Sequence, residues 1–499
     1  MRIIRKNDIF FWTLESKLFY LRHKCYKMTL LMAKFYKSFL LGVSFLMLLP
    51  TFAQETENLK TIKIYDDVIF FDGYNTLEGI SDESKAMIAG EEGILRHLTS
   101  LCAVKLSDEQ LSQIGDKLTM KVTVGALCDN YDRIGNINLA FVPKGSESYN
   151  PDEVQRIEVA RFITPFMNKN VQPTEVPYEF GMDNVSMILR DSKIRADYDI
   201  WVEFELFGVP YAANEQVRGC AGRQDVFTGT LEFITNDVAA PEIDKNILVP
   251  VVIKKPESKG GNFNNYTEGA TDVEKQADKT WRFNVPKDVT DGEVVLIISH
   301  HGANAGGEEY NRRVHNIYFD GNLINVFTPG RESCEPFRQY NTQPNGIYGR
   351  WKKSDEMWQS FSNWCPGDKI DIRIFKTGPL AAGEHAFRIK VIDAVFADQQ
   401  GDFPVSIYFQ GVTEGEMPAP SGVDAVAADP RSSLSINGDL CKITSEDPVW
   451  MVRVYDVEGR TLEMKYNTDE VSLAKCKSGV FVISVEYADG LMEFHKIIR

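Results

Sequence analysis

A succession of short β-patterned runs, separated by turn signals instead of helices, constrains the fold of this chain more than any other feature. In the run 199–208, Phe204 faces one side of the strand and Glu203 the other, because side chains alternate along a strand. Only residues 82–101 have a helical pattern, with a short capped segment after Ser107. The strand-like runs are 60–71, 120–127, 134–142, 199–208, 228–235, 247–254, 280–285, 293–299, 314–319, 323–327, 369–376, 385–395 and 405–410. Many short strands without alternating helices predict an all-β chain of antiparallel sandwiches or barrels.

The runs fall into two sets, which we interpret as two sandwiches side by side. An acidic, Pro-containing connection at 236–246 separates the sets, and a linker rich in Pro and Gly at 413–423 ends the second. The predicted domains are a leader and signal peptide at 1–53, a first sandwich at 58–240, a second sandwich at 245–415 and a small β-sandwich module at 424–499.

Composition excludes one class of partner. The chain has 499 residues, of which 43% are hydrophobic and 25% charged, as in an ordinary globular protein. Its net charge of −16 disfavours a nucleic-acid partner, because phosphate binding needs a basic surface. A neutral sugar substrate is compatible with an acidic protein. We expect a monomer.

Residues 32–53 have the pattern of an export signal. Its parts are a positive region with Lys34 and Lys37, an apolar core at 39–49 and a small-residue cleavage site at 51–53. The apolar core is too short to span a bilayer, so we expect no membrane span after signal removal. The basic prefix 1–31 indicates either an upstream start assignment, with Met28 or Met32 as the initiator, or a long leader. We therefore expect a secreted, outer-surface or periplasmic protein of a Gram-negative bacterium.

Export makes disulfides possible. The cysteines that follow the leader are odd in number, so at least one thiol stays free or pairs unexpectedly. They are Cys102, Cys128, Cys220, Cys334, Cys365, Cys441 and Cys476. No CxxC or His-rich spacing indicates zinc.

The run CDNYDR at 128–133 lies between two strand-like runs and carries the main candidate catalytic residue. It places Asp132 between an aromatic ring, Tyr131, and a guanidinium, Arg133. Asp is depleted in strands, so a carboxylate here needs an explanation. The plain alternative is a turn Asp that binds its own backbone.

The run 199–208 carries a second group of candidates. Trp201, Glu203, Glu205 and Phe207 share one face, which is the composition of a sugar-binding surface. The alternative is a solvated face with isolated aromatic residues.

Three runs, CDNYDR at 128–133, RFITP at 161–165 and WCPGD at 364–368, together resemble the peptide-N-glycosidase F family in their order and separation. The resemblance covers roughly residues 60–415. It implies two eight-stranded jelly-roll sandwiches packed side by side, with the site in the cleft between them. It also implies hydrolysis of the amide that links an N-glycan to asparagine, in glycoproteins or glycopeptides, without a metal or cofactor.

Residue by residue, the resemblance implies that Asp132 is the principal catalytic residue and that Glu203 and Glu309 assist it. It implies that Arg313 and His315 anchor Glu309, and that Cys334 and Cys365 form a disulfide. Substrate-binding roles are expected for Arg133, Tyr131, Trp201, His301 and Arg350.

The sequence also departs from the family pattern. Gly307 and Asn311 stand where the family has two cysteines that bracket the glutamate, so that local disulfide is absent. His301 stands where the family has Trp, and Phe361 where it has Arg. Arg350 is a nearby substitute for that missing Arg.

The chemistry explains the residue types. The glycosylated amide is unreactive, so a water must lose a proton and the leaving glycosylamine must gain one. A carboxylate such as Asp132, with a pKa raised by burial, suits the first role. Glu309 and Glu203 are expected to hold the water or sugar hydroxyls. Trp364 is a candidate for stacking on a sugar ring, although packing in the core beside Cys365 is the alternative.

Other functions remain open at this level. Paired carboxylates also cleave glycosidic bonds, which makes an endoglycosidase the nearest competing enzyme. His300, His301 and His315 lack a further ligand at suitable separation, so we expect no metal site. A non-catalytic protein that binds glycoproteins or glycans with the same fold is the alternative outside enzymes.

The C-terminal module has a resemblance of its own. The runs VRVYDVEGR at 452–460 and SGVFVISV at 478–485, with the terminal KIIR, resemble the C-terminal sorting domains of type IX secretion cargo. The alternative is an accessory domain that binds carbohydrate or the cell wall.

Overall fold

In the computed structural model, the described residues are 59–236, 243–255, 276–302, 307–343, 347–392, 394, 401–418, 432–445, 447–456, 461–487 and 492–499. The predicted leader and signal peptide, both candidate initiators, most of the predicted loop at 256–280 and part of the predicted linker at 413–423 lie outside them. Among the described residues, no helix is both long and apolar enough to cross a membrane.

The first sandwich has nine strands in two antiparallel sheets, one more than the eight expected. They are β1 (Leu59–Phe71), β2 (Ile94–Leu98), β3 (Leu101–Lys105), β4 (Leu118–Ala126), β5 (Ile134–Pro143), β6 (Gln155–Ile163), β7 (Glu175–Gly181), β8 (Tyr198–Leu206) and β9 (Asp225–Asn236). The sheet orders are β1-β9-β4-β7 and β2-β3-β8-β5-β6. The prediction of an all-β jelly-roll fold is confirmed.

Alternation along the strands produces the core between these sheets. In β4, Met120, Val122 and Val124 are buried while the residues between them are half-buried. Phe70 and Phe204 meet across the sheets with ring centroids 4.9 Å apart, and both side chains are fully buried. Each such buried side chain contributes about 1.5–3 kcal/mol to folding.

The predicted helix at 82–101 is wrong in its second half. A short helix, α1 (Asp82–Ile88), begins after Ser81, whose hydroxyl accepts from the Ser84 amide. The chain then forms the β2–β3 hairpin, because β3 pairs with β8 and buries Cys102 against it. Further short helices are α2 (Asp108–Ser112), α3 (Asp183–Leu189), α4 (Ser192–Asp197) and α5 (Tyr211–Gln216). The predicted cap at Ser107 is confirmed as a capping box at the start of α2.

The second sandwich has two four-stranded antiparallel sheets among the described residues. Its strands are β10 (Asn246–Val252), β11 (Gln276–Val285), β12 (Asp291–Ile298), β13 (His315–Phe319), β14 (Asn322–Phe327), β15 (Ile372–Lys376), β16 (Gly383–Ile392) and β17 (Val405–Val412). The sheet orders are β10-β17-β12-β15 and β11-β16-β13-β14. Short helical elements at Glu308–Tyr310, Glu335–Tyr340 and Asp355–Gln359 lie in its long connections.

The two sandwiches meet along β6, an edge strand of the first. The Ile163 amide donates to the Asp368 carbonyl at 2.9 Å, and the Ile370 amide donates to the Arg161 carbonyl at 2.8 Å. The fully buried Arg161 guanidinium binds Glu158 at 2.7 Å and donates to the Ser299 hydroxyl of the second sandwich at 2.8 Å. These hydrogen bonds pair the edge of β6 with the second sandwich. An unpaired edge strand is a site for association with other chains.

The C-terminal residues form the predicted small β module. Its strands are β18 (Ser432–Asn437), β19 (Leu440–Ser445), β20 (Val449–Asp456), β21 (Thr461–Tyr466), β22 (Glu470–Ser472), β23 (Val480–Tyr487) and β24 (Met492–Ile498). They make sheets of order β18-β19-β22 and β21-β20-β23-β24. Val452, Val454, Ile483 and Val485 are fully buried in a core of the module's own.

Candidate active site

A cavity of about 830 Å³ lies at the junction of the two sandwiches. The first sandwich contributes Tyr131, Asp132, Arg133, Ile134, Ile163, Phe166 and Gln216. The second contributes His301, Gly302, Glu309, Tyr310, Gln343, Ile347, Phe361, Ser362, Trp364 and Asp402. The volume falls in the range of small-molecule sites, which are usually about 300–1,000 Å³.

The loop that carries Asp132 is fixed from both sides. The buried Asp129 carboxylate accepts from the Tyr131 amide at 2.9 Å and from the Arg133 guanidinium at 2.7 Å. On the other side, the Arg133 amide donates to the Thr164 hydroxyl at 2.8 Å, and Thr164 donates to the Tyr131 carbonyl at 3.2 Å. Asp132 therefore sits on a rigid bend between β5 and the preceding strand, with its carboxyl half-buried in the cavity.

A disulfide closes the base of this loop. Cys128 bonds to Cys220, and the two residues lie in a small buried cluster with Ala213 and Val217. Cys102, Cys441 and Cys476 are free buried thiols. The expectation that at least one thiol stays free is confirmed.

Glu309 comes from the helical turn Glu308–Tyr310 of the second sandwich. Arg313 does not hold Glu309 as expected: its guanidinium forms a two-point ion pair with Glu308, at 2.8 and 3.0 Å. Nor does His315, whose Nε2 lies 2.8 Å from Nε2 of His300. The reason is register, because Glu308 faces inward and is fully buried while Glu309 faces the cavity.

Burial controls the proton affinity of both carboxyls. Desolvation raises the pKa of Asp132 to about 7, although the positive charge of Arg133 opposes it. Desolvation, followed by the negative charge of Asp132, raises the pKa of Glu309 to about 8. The two carboxyls therefore titrate as a coupled pair near neutral pH.

A third carboxyl, Asp402, lines the same cavity and was not found from the sequence. Its backbone exchanges two hydrogen bonds of 2.9 Å with His301, and burial raises its pKa to about 6. No motif surrounds Asp402, and its position three residues before β17 was the one sequence signal that placed it near the cavity.

His301 and Trp364 form one wall of the cavity. Their ring centroids are 5.8 Å apart, and the Trp364 indole donates to the His300 carbonyl at 2.8 Å. Burial lowers the pKa of His301 to about 3, so its ring is neutral. Trp364 is thus packed in a buried cluster and also lines the cavity, so both interpretations of this residue apply.

Three of the expected site residues lie elsewhere. Glu203 is fully buried within the first sandwich, where it binds Arg156 at 2.9 Å and Tyr149 at 2.9 Å. Trp201 is buried against Tyr149 with ring centroids 5.4 Å apart. Arg350 is exposed and lies 5.4 Å from the Trp351 ring. None of the three lines the cavity.

The second and third sequence runs converge on the first. RFITP supplies Thr164, which fixes the Asp132 loop, and Arg161, which joins the sandwiches. WCPGD supplies Trp364 to the cavity and Cys365 to the expected disulfide with Cys334, which is confirmed. Among the residues that the structure describes, no group of three or more His, Cys, Asp or Glu side chains is arranged to hold a metal ion.

Comparison with known proteins agrees with this arrangement. Models of the N-terminal and C-terminal parts of peptide-N-glycosidase F match residues 61–220 and 269–410. A search of curated proteins gives no match.

Solved structures of PNGF-II share the fold. Two structures of PNGF-II, in different crystal forms, are 20% identical, with TM-scores of 0.52 and 0.53. They cover 72% of this chain, which spans 65% and 66% of theirs, just under two thirds of their length. A structure of PNGase F, a glycosylasparaginase from Flavobacterium meningosepticum, is 15% identical with a TM-score of 0.45, over 73% of this chain and 99% of that one. Because the two family models together match more than half of the 499 residues, this chain belongs to the peptide-N-glycosidase F family.

Proposed function

We propose that this protein hydrolyses the amide between asparagine and the innermost N-acetylglucosamine of N-glycoproteins or glycopeptides. The observation that carries the proposal is the meeting of Asp132 and Glu309, one from each sandwich, in a single cavity with raised pKa values. Pairs of carboxyls whose pKa values are pushed apart and upward are typical of acid–base sites.

Asp132 is the general base in this proposal. With a pKa of about 7 it is substantially ionised near neutrality and still basic enough to take a proton from water. The resulting hydroxide adds to the side-chain carbonyl carbon of the substrate, giving a tetrahedral oxyanion. Arg133, which lines the cavity, supplies positive charge beside Asp132.

Glu309 is the acid. With a pKa of about 8 it stays mostly protonated when Asp132 ionises, so it can give a proton to the leaving nitrogen as the carbon–nitrogen bond breaks. The products are a peptide with Asp in place of Asn and a glycosylamine that keeps both core N-acetylglucosamines. Tyr131, Phe361 and Trp364 give the cavity the aromatic surface on which apolar sugar faces pack.

Asp132→Asn is the decisive variant, because it keeps the size of the side chain but cannot take a proton. We expect single-turnover release of glycan from a denatured glycopeptide to fall about 10²–10⁴-fold, as for other positioned bases. Binding of the glycopeptide should remain near that of the wild type, and the melting temperature should not fall below it. Full activity in a folded Asp132→Asn protein would show that another residue is the base.

Mass analysis of both products distinguishes the competing functions. A peptide that retains one N-acetylglucosamine would identify an endoglycosidase. Binding without any release would identify the alternative, a glycoprotein- or glycan-binding protein, which the presence of Phe361 in the cavity in place of the family's Arg favours.

The same proposal includes delivery outside the cell. The export signal pattern, the two disulfides and the C-terminal module support a secreted, outer-surface or periplasmic monomer of a Gram-negative bacterium. Export through a type IX system is part of the proposal and rests on the sequence resemblance of the module alone.

A further inference from the structure

One side chain, Asn363, holds the turn that carries Glu309. Its Nδ2 donates to the carbonyls of Glu308 at 2.7 Å, Glu309 at 2.8 Å and Asn311 at 3.2 Å. Its backbone amide donates to the Glu309 carbonyl as well, at 3.0 Å. Asn363 thus donates two hydrogen bonds to the backbone carbonyl of Glu309.

The orientation of this amide is dictated by its surroundings. Asn363 is only 5% exposed, and a rotated amide would place its oxygen against three carbonyl oxygens. In the orientation observed, Oδ1 is buried without a hydrogen-bond partner among the described residues. An unsatisfied buried acceptor costs stability, so the residue is better explained by what its Nδ2 holds than by a gain in folding.

Asn363 lies between two residues of the cavity wall. Its neighbours Ser362 and Trp364 both line the cavity, and Cys365 anchors the segment through the disulfide to Cys334. The Arg312 guanidinium donates to the Ser362 carbonyl at 2.8 Å, so the turn and the wall are tied at a second point. The disulfide and these hydrogen bonds therefore fix the wall segment against which the turn is held.

We propose that Asn363 is a positioning residue that keeps the Glu309 carboxyl in the cavity, facing Asp132. The proposal rests on the proposed function, because it concerns the acid of that reaction. Arg313 fixes the turn through Glu308 on one side, and Asn363 fixes it through three carbonyls on the other. A displacement of the turn by about 1 Å would be enough to lower the rate about 10²-fold.

The test compares Asn363→Ala and Asn363→Asp with a matched control, Asn214→Ala. Asn363→Asp keeps the shape but has no amide hydrogens, so it remains informative if the alanine variant fails to fold. Asn214, in helix α5 of the first sandwich, likewise donates to two carbonyls, of Pro210 at 3.0 Å and Arg223 at 3.1 Å. None of Asn214, Pro210 and Arg223 lines the cavity.

We expect kcat to fall about 10–100-fold in both Asn363 variants, with a smaller change in KM, and to stay unchanged in Asn214→Ala. In the pH dependence of kcat, the limb that reports the pKa of Glu309 should move to lower pH. The reason is that a loosened turn exposes that carboxyl to water. Combining Asn363→Ala with Glu309→Gln should lower kcat no further than Glu309→Gln alone.

A kcat in both Asn363 variants equal to that of Asn214→Ala would overturn the proposal, and so would additive losses in the double variant. Glycan release by the wild type together with either result leaves the proposed function standing and removes only the role of Asn363. No release by the wild type, even at high enzyme concentration, overturns the proposed function and this role with it.

Discussion

Burial, more than neighbouring charge, sets the chemistry of Asp132 and Glu309. Desolvation is the largest cause of the raised pKa at both residues, and Arg133 opposes it only in part at Asp132. Arg133 is itself engaged by the carboxylate of Asp129, at 2.7 Å. A cation that is bound to another anion neutralises Asp132 less, which leaves a carboxyl that is ready to exchange protons near neutrality.

These pKa shifts predict a dependence of stability on pH. The folded pKa values of about 7 and 8 exceed the ordinary values of 3.8 and 4.5. The protonated carboxyls therefore contribute stability that is complete below about pH 4 and is lost as pH rises through about 7 and 8. From pH 5 to pH 9, the unfolding free energy of Asp132→Asn should fall by about 1–3 kcal/mol less than that of the wild type. Urea unfolding of both proteins at the two pH values measures the difference.

Glu109→Gln, a change at an exposed carboxyl, serves as the control and should follow the wild type at both pH values. If Asp132→Asn also follows the wild type, the Asp132 carboxyl is solvated in the folded protein.

A second prediction separates Glu203 from Glu309. Glu203→Gln leaves Arg156 buried without its counter-ion, so we expect a loss of about 3–5 kcal/mol in unfolding free energy. The folded fraction should keep its kcat, because Glu203 does not line the cavity. Glu309→Gln should show the opposite pattern, with no loss of stability and a large fall in kcat. Chemical denaturation and single-turnover assays on both variants check this. A stable Glu203→Gln protein without activity would show that Glu203 takes part in the reaction.

At the scale of elements, the segment between Phe361 and Cys365 determines the shape of the cavity. It supplies three lining residues, and the Cys334–Cys365 disulfide and the hydrogen bonds of Asn363 hold it. Trp358 and Tyr348 pack in the same cluster as this disulfide. The wall therefore depends on a local core outside the two sheet interfaces.

Removing the disulfide tests that dependence. The Cys334→Ala/Cys365→Ala variant should lose about 2–4 kcal/mol of stability, as expected for a loop with a sequence separation of 31. It should also lose kcat at temperatures where it is folded, because the wall loosens. Melting curves and glycan release check both effects. Cys102→Ala, at a free buried thiol of the first sandwich, is the control and should keep kcat. If the variant without the disulfide is less stable but fully active, the disulfide contributes to stability and not to catalysis.

At the scale of the molecule, the site belongs to the two sandwiches and not to the module. Every described residue that lines the cavity lies between Tyr131 and Asp402. The module, from Ser432 onward, has its own buried core. We therefore expect the proposed chemistry to need only the part of the chain that ends before the module.

A chain of residues 59–418 should fold and release glycan with the kcat of the longer protein. It should lose extracellular delivery if the module is a sorting domain. Expression in a host with the export system, followed by assays of culture medium and cells, checks both points. Equal delivery of the two forms would favour an accessory binding role for residues 432–499, and lost activity would place part of the site there.

The all-β class, the two sandwiches and the three runs around the cavity could all be predicted from the order of the residues. These features depend on local alternation, turn residues and short motifs, which are read directly along the chain. Asp132, Glu309 and the Cys334–Cys365 disulfide were predicted through the family resemblance that these motifs carry. The helix at 82–101 was misjudged because pairing with β8 overrode local propensity.

Only the tertiary structure decided which carboxyls face the cavity. Along β8, Glu203 and Glu205 looked like a sugar-binding face, but both are buried, one against Arg156 and the other against Lys254 of the second sandwich at 2.9 Å. Asp402 reaches the cavity from a position without any motif. A carboxylate on a strand has the same local pattern whether it meets water, a substrate or a buried cation. Its partner is distant in the chain, so folding alone brings the two together.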